Sequence, residues 1–140
     1  GRVKLAKQVL EEGSAVAADA MLPKLLAKVN QTTRPALVKQ VRQIMTEQSP
    51  AAIAAALDAM ARRPDAAPGL SAIKVPTLVI VGSEDVITPP SEMQKIVDLV
   101  PQSRMVEIPH AGHLTTLEAP DEVNATMSHF LSSLRQTIPS

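Results

Sequence analysis

One short run constrains this chain more than any other feature. Pro76-Thr77-Leu78-Val79-Ile80-Val81 is apolar and β-rich without a break, and it stops at Gly82. An uninterrupted apolar run, rather than an alternating one, suits a strand covered on both faces in a parallel sheet. A parallel partner requires a crossover of about a dozen residues or more. Thr88-Pro89-Pro90 opens a helix that fits that need, with Met93, Ile96, Val97 and Val100 at i, i+3, i+4 and i+7 and Pro101 closing it. Arg104-Met105-Val106-Glu107-Ile108 then reads as a second strand, shorter and partly polar, and so near an edge. Ala119-Pro120 starts a last helix whose Val123, Met127, Phe130, Leu131 and Leu134 are expected to face inward. The fold class is therefore α/β, with two parallel neighbouring strands.

Residues 1–63 have a different texture and read as helix throughout. Val3, Ala6 and Leu10 keep a helical spacing until Gly13 offers a stop. Ser14 can cap a second helix that places Leu22, Leu25, Leu26 and Val29 on one face, with a kink or break expected at Pro23. Pro35 sits near the first turn of a third helix, whose Leu37, Val41, Ile44 and Met45 form one stripe. Ser49-Pro50 starts a fourth, burying Ile53, Leu57 and Met60. The domain reading is a helical region 1–63, a Pro- and Gly-rich linker 64–74, and a strand–helix–strand–helix region 75–140.

Composition narrows the partners. Lys+Arg and Asp+Glu both number 14, so net charge gives no footprint for nucleic acid or an anionic membrane. Arg62-Arg63 reads as a solvated helix end. One Phe, with no Tyr or Trp, removes the aromatic platforms on which single-stranded bases stack. Without cysteine there are no disulfides or thiolate metal sites, and no His/Asp/Glu cluster has metal-ligand spacing, so neither metal nor cofactor is expected. No apolar run approaches the roughly 20 residues needed to span a bilayer, and a cytoplasmic protein is the default expectation. The six methionines are core filler.

In open α/β sheets, sites form beyond the carboxyl ends of the strands. Two loops satisfy that rule: Gly82-Ser83-Glu84-Asp85 and Pro109-His110-Ala111-Gly112-His113. An acid and a histidine thus leave the same edge of adjacent strands, the placement a carboxylate needs to orient an imidazole. Val75 through Asp85 with Thr88-Pro89-Pro90 resembles the acid-bearing strand and loop of the α/β-hydrolase family. Ile108-Pro109-His110-Ala111-Gly112-His113-Leu114 with Leu117-Glu118-Ala119-Pro120 resembles its histidine loop and final helix. The resemblance implies that Asp85 is the triad acid and His113 the general base, in the family's order of nucleophile, acid, histidine. It also implies that the chain is the C-terminal part of such a fold, with residues 1–63 its cap, similar in character to the caps of enol-lactonase-like and meta-cleavage hydrolases. Met21, Leu22, Leu25 and Leu26 are expected along the substrate wall.

Plainer readings stand beside these. Asp85 is placed where an Asx-turn residue would also sit, and His113 where a structural loop histidine would. Glu84 reads as a solvated loop residue, His110 as locally bonded and His129 as a surface residue. Gly112 is expected to serve a positive φ or a close backbone approach.

The family's nucleophile stands on a Gly-x-Ser-x-Gly elbow, and these 140 residues contain none. Ser71 and Ser83 have no elbow around them, and both oxyanion-hole donors would lie upstream. The chain alone is expected to be inactive. The leading expectation is the acid–histidine part of an esterase- or lactonase-type hydrolase of small acyl or lactone substrates. A cofactor-free haloperoxidase-like activity would use the same triad. The reading from another class is a non-catalytic binding or scaffold protein that keeps part of the fold. An apolar strand with an open edge also calls for a partner, either the N-terminal half of the same protein or a second copy.

Overall fold

A computed structural model describes residues 1–135, with the side chain of Arg135 left aside. Among the described residues, eight helices and two strands follow one another as α1 (Arg2–Glu12), α2 (Ala15–Leu25), α3 (Lys28–Thr33), α4 (Pro35–Thr46), α5 (Pro50–Arg62), β1 (Thr77–Gly82), α6 (Pro90–Leu99), β2 (Ser103–Ile108), α7 (Thr115–Glu118) and α8 (Pro120–Arg135), with a 3₁₀ turn at Ala67–Ala72 ahead of β1. The chain divides into two compact units. One comprises Gly1–Pro23 and Gln31–Asp65; the other comprises Lys24–Asn30 and the chain from Ala66 onward.

The first unit is helical. α1 stops at Gly13, whose φ of 94° is a conformation that glycine adopts at little cost. α1 lies along α5, Val9 is completely buried, and Ala17, Ala18, Leu37, Val41, Ala54 and Leu57 complete the buried set. Pro35 occupies the first turn of α4, where its missing N–H would have had no partner anyway. Ser49 caps α5 by accepting from the Ala52 N–H at 3.1 Å. Arg62, in the last turn of α5, pairs with Asp58 on the surface.

Three local expectations are corrected here. Ser14 does not cap α2 with its side chain; its hydroxyl donates to the Thr46 carbonyl at 2.9 Å, and its own carbonyl receives the Ala17 and Ala18 N–H groups. Helix α2 runs through Pro23 and ends at Leu25, so the break falls two residues later than expected. As a result Leu26 is buried while Val29, restarted on the short α3, is left exposed. The stripe on α4 is buried only in its first half: Leu37 and Val41 are covered and Ile44 is exposed.

In the second unit β1 and β2 pair in parallel, in register from Thr77 opposite Ser103 to Gly82 opposite Ile108. α6 makes the crossover. Ile108, Ala111 and Val123 form the core, with Ile80, Val106 and Ala119 packed against it. β1 is less covered than its composition suggests: Val81 and Gly82 are buried, and Leu78, Val79 and Ile80 are half-buried. The stripe of α8 is likewise only partly inward. Val123 is buried, whereas Met127 and Leu131 are exposed. The reason is visible in the packing: β1 pairs only with β2 among the described residues, and Leu78, Ile80, Met127, Phe130 and Leu131 line an open hollow of about 290 Å³.

Candidate active site

Parallel pairing carries the two loops off the same sheet edge, and the backbone then joins them. The Ser83 N–H donates to the Ile108 carbonyl and the Glu84 N–H to the Ala111 carbonyl, each at 2.9 Å. The His110 N–H donates to the Ser83 hydroxyl at 3.0 Å. His110 itself takes φ 55°, the one non-glycine positive φ among the described residues. Gly112 does not need a positive φ. It serves the other expected purpose, close approach, since a Cβ there would lie 2.7 Å from the Ala27 nitrogen.

Asp85 is 6% exposed and its four contacts divide between its two oxygens. Oδ1 accepts the Ile87 N–H at 2.8 Å and the Thr88 N–H at 3.0 Å. Oδ2 accepts the Thr88 hydroxyl at 2.9 Å and faces His113 Nδ1 at 2.9 Å. Oδ1 thus makes the contacts of a turn residue, while Oδ2 is the oxygen that faces the histidine. Thr88, whose hydroxyl also stands 3.3 Å from His113 Nδ1, is a member of the site that pattern reading did not assign. Its signal was the Asp-x-x-Thr spacing, which lets a side chain three residues on fold back onto the carboxylate.

Burial pushes the Asp85 carboxyl up, but hydrogen bonds from the Thr88 N–H, His113, the Ile87 N–H and the Thr88 hydroxyl together outweigh it and hold the group below the ordinary carboxylate range. A carboxyl whose folded value is depressed stabilises the fold above its unfolded value, about pH 4, and loses that contribution as pH falls through the lower folded value. The thermal-midpoint gap between wild type and Asp85→Asn is therefore expected to be constant from pH 7 to about 5 and to close below about pH 4. Melting curves from pH 2 to 7 check this; a gap unchanged at pH 2 would contradict it.

A carboxylate on Nδ1 favours the Nδ1–H tautomer and leaves the lone pair on Nε2, the nitrogen that can accept a proton from a hydroxyl. The His113 side chain is about one-third exposed, at 35%, so the ring is reachable while the Asp85 carboxylate, at 5%, is shielded. The His113 backbone is fixed from elsewhere: its N–H, and that of Leu114, donate to the Leu25 carbonyl at 2.9 and 3.3 Å.

Of the apolar residues expected at the substrate wall, Leu25 is half-buried and Leu26 buried, both beside the histidine loop. Met21 and Leu22 are half-buried in the first unit. Glu84 is more than a solvated residue, because its carboxylate accepts the Lys28 N–H at 3.2 Å and lies 3.9 Å from His110 Nδ1. His129 is exposed, as expected. No group of three or more metal-binding side chains occurs among the described residues, and no described helix is long and apolar enough to cross a membrane.

Two parallel strands that bring an Asp–His pair together beyond their carboxyl ends, with helices around them, match part of the α/β-hydrolase fold. The chain belongs to the Ndr family, whose family model matches residues 2–134. Among solved structures it is similar to a thermophilic esterase from Thermogutta terrifontis, with a TM-score of 0.90 and 37% identity over 94% of this chain and 48% of that one. It is also similar to the enol-lactonase from Burkholderia xenovorans LB400, with a TM-score of 0.85 and 27% identity over 93% of this chain and 49% of the other. Among curated proteins, 68 residues are 40% identical to BpoC of Mycobacterium tuberculosis, described as a candidate non-heme bromoperoxidase, covering 49% of this chain and 26% of that protein. The chain thus spans about half the length of the solved structures it matches.

Proposed function

We propose that this chain supplies the acid Asp85 and the base His113 of a Ser-His-Asp hydrolase, acting on small ester or lactone substrates, whose serine nucleophile lies outside these residues. What carries the reading is the 2.9 Å contact between Asp85 Oδ2 and His113 Nδ1, buried on the acid side and open on the histidine side. In the reaction, Nε2 of His113 takes the serine proton as the oxygen attacks the carbonyl carbon. The same nitrogen returns the proton to the leaving oxygen, and the cycle repeats with water. Asp85 stays ionised and holds the ring in its tautomer. The likeness to an esterase and an enol-lactonase favours acyl chemistry on oxygen esters. A haloperoxidase-like activity, suggested by the likeness to BpoC, would use the same three groups.

Leu25 is the wall residue with the best support, since its backbone already holds His113. Met21, Leu22 and Leu26 stay in the proposal on the sequence alone. No cofactor or metal enters the scheme. The partner that completes the site is the N-terminal half of the same protein, since a second copy of these residues would cover the open strand edge but bring no elbow; the setting is cytoplasmic.

Intact mass after exposure to a fluorophosphonate tests the division of labour. Residues 1–140 alone are expected to take no adduct, and a polypeptide that adds a Gly-x-Ser-x-Gly elbow to them is expected to take one per chain. An adduct on a serine within residues 1–140 would overturn the scheme. An unlabelled elbow-bearing polypeptide would leave the non-catalytic binding protein as the better reading.

A further inference from the structure

The most heavily engaged buried acid outside the Asp–His pair is Glu118, at the end of α7 and 6% exposed. Its Oε1 accepts the Gly112 N–H at 2.8 Å. Its Oε2 accepts the Ala27 N–H at 2.7 Å and the Asn30 side-chain amide at 2.8 Å. The same Asn30 amide also donates to the His110 carbonyl at 3.0 Å. One carboxylate thus binds the residue directly before His113 to the segment Ala27–Asn30, and Asn30 closes the loop onto His110. That segment in turn neighbours Leu25, the acceptor for the His113 N–H. Every bond in this circuit ends on the backbone of the histidine loop or on the short segment it rests against.

We propose that Glu118 is a positioning residue for His113. It acts through the backbone of the histidine loop and sets the height and direction from which the ring reaches Asp85. The chemistry supports this division. Gly112 is packed so closely on residues 25–27 that any loosening there would move the loop as a body. A buried carboxylate facing three N–H donors cannot be replaced by water without reopening that contact, and apolar replacement would take this acceptor from the Gly112 and Ala27 N–H groups and leave Asn30 with the His110 carbonyl. Glu84 repeats the arrangement from the acid's side by accepting the Lys28 N–H, so both loops of the site are referenced to one stretch of chain. The importance of the assignment for catalysis rests on His113 being the base proposed above, but its test does not depend on turnover.

The test is the tautomer of neutral His113, read from its ring nitrogen shifts in long-range ¹H–¹⁵N spectra at pH 8.5, with exposed His129 as the internal reference. Wild type is expected to show the Nδ1–H form imposed by Asp85. Glu118→Ala is expected to return His113 to the mixture of an unrestrained imidazole while His129 does not change. Retention of the Nδ1–H form in Glu118→Ala, even with a lowered melting temperature, would reduce Glu118 to a fold-stabilising residue and overturn the proposal. Should that variant not fold, Glu118→Gln, which keeps the volume and one acceptor oxygen, decides by the same criterion. In the elbow-bearing polypeptide the matching expectation is a kcat lowered about 100-fold with KM within about twofold. If that polypeptide takes no fluorophosphonate, the hydrolase reading fails while the tautomer result stands by itself.

Discussion

Replacing Asp85 with Asn in the elbow-bearing polypeptide is expected to lower kcat about 10⁴-fold with little change in KM, the scale set by the same change in a serine protease triad. The local bonding determines why so small a change should cost so much. Oδ1 of Asp85 receives two backbone N–H groups, from Ile87 and Thr88, and only an oxygen can occupy that place. The asparagine amide nitrogen is therefore forced into the position of Oδ2, facing His113 Nδ1 and the Thr88 hydroxyl. An N–H donor there pairs with a bare Nδ1, which moves the ring proton to Nε2. The nitrogen that must accept the serine proton then carries one already. The exchange is isosteric and leaves the pair's geometry in place, so the loss should appear in kcat. Steady-state kinetics on a p-nitrophenyl ester, with the fluorophosphonate rate as a second readout, decide the matter. A kcat within tenfold of wild type would mean that Asp85 is only the turn residue its Asx bonds also make it.

How far the sequence anticipates this site depends on the distance over which each contact acts. Helix punctuation is local, and Gly13, Pro35 and Ser49 stand where their backbone preferences put them. The strand run, the crossover helix and the placement of Asp85 and His113 on one edge follow from periodicity plus a rule of sheet topology. Pro23 is a local signal that misleads: a proline's missing N–H and its ring usually break a helix interior, yet α2 ends only two residues past it, so it sits in the last turn. Exposure on α8 depended on what faces Met127 and Leu131, and no property of α8 itself contains that information. Least legible was Glu118, whose partners Ala27 and Asn30 are 91 and 88 positions away. A glutamate in a helical turn reads as solvated by composition, and only three-dimensional closure of the chain puts three donors around it. The same holds for Gly82, whose need for a bare Cα comes from a loop 30 positions later.

Gly82→Ala is expected to be the most destabilising single methyl addition in the second unit, costing about 3 kcal/mol or more. A Cβ on Gly82 would lie 2.2 Å from the Gly112 carbonyl oxygen, 2.3 Å from that of Ala111 and 2.6 Å from the Ala111 carbonyl carbon. All three are backbone atoms, so no side-chain rotation can relieve the overlap. Gly82 has no positive φ, and the cost is therefore one of space and not of dihedral preference. The loops must separate, and the bonds at risk are those that close them: Ser83 N–H to Ile108, Glu84 N–H to Ala111, and then the Asp85–His113 contact. Gly69→Ala is the control. Nothing lies within 4 Å of a Cβ there, and its effect should stay within about 1 kcal/mol of zero, with stabilisation the expected sign because the unfolded chain loses freedom. Urea unfolding of the two variants beside wild type gives both numbers. Equal midpoints for Gly82→Ala and wild type would show that the strand end and the histidine loop are not in the contact described. The pairing of acid and base would then need another support.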